Sequence, residues 1–149
     1  MSPTGLFTLG GETMDTYMNE SNAAYRLVKE WEQYGRIVVA YDFDNTVYDY
    51  HQEGHDYSEV IELIHELHEA GAYLMVYTAR PNTELYKVSN YLKENMIPFD
   101  SINKMPDFLP FTENKKLYYN ILLDDRAGLK SAVNILRTVL TVRELRGNM

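Results

Sequence analysis

Asp42 and Asp44 stand two residues apart, with Thr46 two further on, directly behind the apolar run Ile37-Val38-Val39-Ala40. A β-branched run of this kind reads as a buried strand. Two carboxylates at its end would be uncompensated charge in the interior unless a cation shares the place. The carboxyl end of a parallel strand, where open α/β sheets gather their ligands, suits such a cluster. Two further stretches end in a similar way. Residues 72–77 run into Thr78-Ala79-Arg80, and residues 119–123 run into Asp124-Asp125-Arg126. All strands of a parallel sheet present their carboxyl ends along one edge, so these separate endings become one site. Oxygen ligands without cysteine suit Mg²⁺, which binds through one or two carboxylates plus phosphate. A carboxylate beside Mg²⁺ can attack a phosphoryl group, and a second acid can protonate the leaving oxygen and later activate water. The phosphoryl oxygens need donors as well: the Thr78 hydroxyl, backbone N–H groups around Phe43, Asp44 and Asn45, and a lysine.

The elements that must position these groups alternate along the chain. Strands are expected at residues 36–41, 72–77 and 119–123, with a short one after Pro98 within 96–102. The first helix is expected from about residue 12 to 34, with Met14, Tyr17, Met18, Tyr25, Val28 and Trp31 on one face and Gly35 as the stop; Asn19 to Asn22 interrupt that face, so two shorter helices are the alternative. A second starts near Asp56 or Ser58, where Asp56 and Glu59 have capping-box spacing, and buries Val60, Ile61, Ile64 and Leu67 before Gly71. Asn82 or Thr83 can cap a third, which runs to about Asn95 with Leu85, Val88 and Leu92 inward. A last helix over 131–146 turns Val133, Leu136 and Leu140 inward, with Ile135 and Val139 beside them. Residues 1–11 read as a loose lead-in, 47–57 as a flap over the strand end, and 113–117 as a short helical turn. Strands alternating with helices at these lengths predict a parallel sheet joined by crossovers. Two parts are expected, an N-terminal helical extension over 1–35 packed on the core and a catalytic domain over 36–149.

A chain of 149 residues, 45% of them apolar, is enough for one core. It has no cysteine, which excludes disulfides, thiolate metal sites and a cysteine nucleophile. No apolar run reaches the roughly 18 residues of a membrane span, and the polar N-terminus lacks a signal pattern, so a cytoplasmic location without membrane contact is expected. The net charge of −8 is uneven, with 14 acids against 3 Lys/Arg in residues 1–75 and 8 against 11 in the remainder. That balance argues against general nucleic-acid binding, which needs clustered cations.

The ordered endings resemble the motifs of the haloacid dehalogenase (HAD) superfamily of phosphohydrolases. Its Asp-x-Asp-x-Thr motif stands here as Asp42-Phe43-Asp44-Asn45-Thr46, its strand-terminal Thr as Thr78, and its acidic strand end as Asp124-Asp125. The resemblance spans residues 36–130. It implies a three-layer Rossmann-like α/β fold of the HAD type, with helices on both faces of the sheet. It also implies Mg²⁺-dependent phosphomonoester hydrolysis through a phosphoaspartate. In that scheme Asp42 is the nucleophile and a metal ligand, and Asp44 is the general acid/base with its backbone carbonyl on the metal. Thr46 braces the loop, Thr78 holds phosphoryl oxygens, and Asp124 completes the metal site. Asp125 holds a metal-bound water or orients a neighbour. The lysine of the family's third motif is assigned by position to Lys116, eight residues before Asp124, with Lys115 and Lys104 as alternatives. Neither interval that carries a cap domain in larger relatives has room for one. The resemblance therefore implies an open cleft, covered by a bulky substrate, a second copy of the chain or the N-terminal helix.

Arg80 and Arg126 adjoin the motifs and either meet substrate phosphate or pair with the nearby acids. Tyr48 and Tyr50 in the flap are candidates for stacking on substrate. A response-regulator receiver also uses acids, Mg²⁺, Thr and Lys, but in a different order along the chain. The remaining alternative is a non-catalytic binding module of the same fold. The substrate class stays open among nucleotides, sugar phosphates, phosphoproteins and nucleic-acid ends.

Overall fold

The computed structural model describes residues 6–9, 12–15, 18–109 and 117–147. The first elements correct the expected lead-in and the early helix start. Strands β1 (Leu6–Leu9) and β2 (Glu12–Asp15) pair antiparallel, Leu6 opposite Asp15 and Leu9 opposite Glu12. Helix α1 spans Glu20–Tyr34. The Asn19 side chain accepts the Asn22 N–H at 2.9 Å, so the polar stretch after residue 18 is a helix cap rather than a break within a helix. Gly35, at φ 84°, closes α1 by donating its N–H to the Trp31 carbonyl at 2.8 Å. The buried face is Ala24, Leu27, Val28 and Trp31, while Met18 and Tyr25 are exposed. With the start moved to Glu20, helical spacing brings Ala24 and Leu27 inward instead.

Four strands follow: β3 (Val38–Tyr41), β4 (Tyr73–Val76), β5 (Ser101–Ile102) and β6 (Ile121–Leu123). They form one parallel sheet in the order β5-β4-β3-β6, with Ala40 opposite both Met75 and Leu122. β3, β4 and β6 are each shorter than the runs expected for them. Part of the reason is that side chains take over ladder positions: Asp100 Oδ2 accepts the Leu74 N–H and Asn120 Oδ1 accepts the Val38 N–H, both at 2.7 Å.

Between the strands lie α2 (Ser58–Ala70), a 3₁₀ turn (Asn82–Glu84) that leads into α3 (Leu85–Glu94), and finally α4 (Leu129–Gly147). Asp56 does not close a capping box. Its carboxylate accepts the Ser58 N–H at 2.9 Å, two residues on. Asn82 and Thr83 do not cap α3 either, because they lie inside the 3₁₀ turn that follows Pro81.

Strand alternation divides the sheet into two faces. Val39, Tyr41, Leu74, Val76 and Leu123 join the buried faces of α1 to α4 in one apolar cluster. Val38, Ala40 and Met75 form the other face, against Leu109, Leu117 and Tyr119 of the crossover that links β5 to β6. The expected helical turn over 113–117 lies, apart from Leu117, outside the described residues. The outcome is a layered α/β, Rossmann-like fold in which α1 shares the main core. Each fully buried aliphatic side chain in it contributes roughly 1.5–3 kcal/mol. No helix among the described residues is long and apolar enough to cross a membrane.

Candidate active site

The carboxyl ends of β3, β4 and β6 meet at one edge. Past the end of β3, the Asp42 N–H still donates to the Leu123 carbonyl at 2.9 Å, which fixes Asp42 beside Asp124. Ligand oxygens of Asp42, Asp124 and Asp125 all lie within 4.8 Å of one another. Burial, the charge of Asp124 and a hydrogen bond with Asp125 push the Asp42 carboxyl up to about 7, against a smaller opposing pull from the Phe43 backbone. Carboxylates this close repel one another, and a hard divalent cation relieves the repulsion. The oxygen-only set fits Mg²⁺.

After Asp42 the chain turns sharply. The Phe43 carbonyl accepts the N–H groups of Val47 at 3.1 Å and Tyr48 at 3.0 Å, and Asn45 sits in the left-handed region at φ 61°. Phe43 is buried, stacked on Tyr48 at 5.0 Å, with the Tyr91 ring edge-on to both. Its side chain therefore holds the loop and lines neither of the two clefts described below. The Asn45 N–H donates to the Tyr48 carbonyl at 2.8 Å and so is engaged rather than offered to a ligand, contrary to expectation. Thr46 is wholly buried, and its hydroxyl accepts the Asp125 N–H at 3.1 Å.

Thr78 is also buried. A residue that the sequence did not flag fixes it: Asn103 Oδ1 accepts the Thr78 N–H at 2.9 Å and Asn103 Nδ2 donates to the Thr78 carbonyl at 2.8 Å. The Thr78 hydroxyl oxygen accepts the Arg80 N–H at 3.2 Å, which leaves its own hydrogen to donate elsewhere.

Asp44 lies outside the close carboxylate trio, although it borders the same cleft. Arg80 grips it through Nη2 at 2.7 Å and Nε at 3.0 Å, and Glu84 lies 3.7 Å from the guanidinium. The rings of Phe43, Tyr48 and Tyr50 surround that guanidinium at 5.2, 5.6 and 5.8 Å, and the Asp44 carboxylate raises its pKa further. Of the two roles open to Arg80, pairing with an acid is the one observed. Lys115 and Lys116 lie outside the described residues. Lys104 is exposed and lines neither cleft described next.

Two clefts meet here. One, of about 440 Å³, is lined by Asp42, Asp124 and Asp125 together with Tyr77 and Tyr119, which the sequence reading had not marked. The other, of about 470 Å³, is lined by Tyr50, His51, Arg80, Pro81 and Glu84. Asp44, Asn45, Ala79 and Arg126 border both.

The fold has a solved counterpart. A conserved protein from Bacteroides thetaiotaomicron superposes with a TM-score of 0.52 at 21% identity, over 62% of this chain and 78% of that one. At this identity the likeness is one of fold, an α/β parallel sheet. No protein-family model and no curated protein matches the chain.

Proposed function

We propose that this chain is a Mg²⁺-dependent phosphomonoester hydrolase of the HAD type, acting through an aspartyl phosphate at Asp42. The observation that carries the reading is the clustering of Asp42, Asp124 and Asp125 oxygens within 4.8 Å at the carboxyl edge of a parallel sheet. Asp42, Asp124 and Asp125 would hold the metal. Bound Mg²⁺ supplies the positive charge that keeps Asp42 ionised and offsets charge on the phosphoryl oxygens.

A carboxylate oxygen of Asp42 attacks phosphorus while the bond to the leaving oxygen breaks. Asp44 gives that oxygen a proton and afterwards takes one from water, which attacks the phosphoaspartate, releases phosphate and restores Asp42. The Thr78 hydroxyl, its oxygen already accepting from Arg80, donates its hydrogen to a phosphoryl oxygen. Buried Thr46 holds the Asp125 backbone at the edge of the metal set.

One observation favours a second reading, a binding module without turnover. Asp44 is engaged twice by Arg80, so it can move protons only after that pair loosens. Hydrolysis of p-nitrophenyl phosphate decides between them. Release of phosphate that needs Mg²⁺ and vanishes in Asp42→Asn is the expected result. Inactivity there and on a panel of mononucleotides, sugar phosphates, phosphopeptides and phosphorylated oligonucleotide ends would leave the module.

A further inference from the structure

The two clefts divide the phosphohydrolase reading into two halves. Asp42 borders one cleft alone, whereas Asp44 stands on the boundary of both. On that reading, an attacking carboxylate in the first cleft and a proton donor on the boundary place the leaving oxygen next to the second. The body of the leaving group then lies in the second cleft, whose volume falls within the roughly 300–1,000 Å³ of sites that take small organic ligands.

The walls of that cleft have a definite chemistry. Tyr50 is 52% exposed, set edge-to-face with His51 at 5.0 Å. Together with Pro81 they offer ring faces and an apolar edge to a flat partner. The two cations present differ in availability. Arg80 is engaged by Asp44 and has Glu84 beside it. The exposed Arg126 side chain has no carboxylate within ion-pair distance among the described residues.

We infer that the cleft formed by Tyr50, His51, Arg80, Pro81, Glu84 and Arg126, with Glu84 paired to Arg80 at 3.7 Å, is the leaving-group subsite, and that it selects phosphomonoesters whose leaving group is an aromatic ring bearing a second negative charge. The ring lies against Tyr50 and the charge meets Arg126. Arg80, neutralised by Asp44, forms a wall and leaves the recognition of charge to Arg126. This rests on the phosphohydrolase reading for the direction of the leaving group, while occupation of the cleft can be read without turnover.

Calorimetric titration of the full chain in Mg²⁺ with three non-hydrolysable probes tests the subsite: ethylphosphonate, benzylphosphonate and 4-carboxybenzylphosphonate. Benzylphosphonate is expected to bind about fivefold tighter than ethylphosphonate, a ratio that Tyr50→Ala removes. The carboxylated probe is expected to bind about fivefold tighter again, and Arg126→Gln removes that second step while leaving the first. Equal affinities for the three probes, no binding, or ratios unchanged in the two variants would overturn the inference. If the probes bind as expected and no ester is hydrolysed, the catalytic reading fails and the subsite stands.

Discussion

The Thr46 hydroxyl, wholly buried, accepts the Asp125 N–H at 3.1 Å across 79 positions of chain. That bond ties the loop after β3 to the end of β6 and so sets the spacing of the acidic trio. Thr46→Val keeps the shape and leaves the Asp125 N–H without its partner, at an expected cost of about 1–3 kcal/mol. Thr46→Ser keeps the acceptor and loses one buried methyl, about 1 kcal/mol. Denaturant unfolding of both variants checks the order. A Val variant as stable as wild type would mean that the bond contributes nothing.

The Arg80–Asp44 pair lends itself to a double-mutant cycle. Its side chains are only 17% and 25% exposed and two hydrogen bonds join them. Arg80→Met and Asp44→Asn should show a coupling of about 1–2 kcal/mol, above the usual surface pair and below a fully desolvated one. Arg80→Lys should behave much like Arg80→Met, since an ammonium cannot supply the two-pronged grip. Coupling within experimental error of zero would count against the pair as the device that holds Asp44.

Asp42 makes stability depend on pH with a definite sign. Its carboxyl is held above its ordinary range, at about 7, first by burial and then by Asp124 and Asp125. A raised carboxyl contributes its full stabilisation below its unfolded pKa of about 4 and loses it as pH rises through 7. In metal-free buffer Asp42→Asn should therefore gain on wild type progressively from pH 5 to pH 8. Mg²⁺ competes with the same proton. Apparent affinity for Mg²⁺ should rise with pH up to about 7 and level off above it. Thermal melts with and without Mg²⁺ across that range provide the measurement, and a stability gap flat in pH would refute the assignment.

Much of the fold was legible because burial leaves a local trace. The β-branched run before Asp42, the apolar spacing in α2 and α4, and Gly35 and Gly71 as stops each follow from chemistry within one element. The order of the polar strand ends was legible too, since a parallel sheet needs no further information to bring Asp42, Thr78 and Asp124 to one edge. What misled was local competition. Asn19 reads as an interruption until it is seen to cap α1, and the pair β1–β2 was hidden, β1 among the glycines and proline of the lead-in and β2 among residues that also suit a helix.

Tertiary structure alone decided how the gathered groups divide. Sequence spacing makes Asp42 and Asp44 look like partners, yet Asp42 faces Asp124 and Asp125 while Asp44 faces Arg80. The choice depends on long-range geometry: a ladder bond from Asp42 to Leu123, and a ring of Phe43, Tyr48 and Tyr50 that brings Arg80 to Asp44. The same holds for Asn103, whose amide clamps Thr78 from 25 residues away. Residue types along the chain determined which chemistry is available. Which acid meets which partner was settled by packing, because charge pairing acts through space at a few ångströms, regardless of separation along the chain.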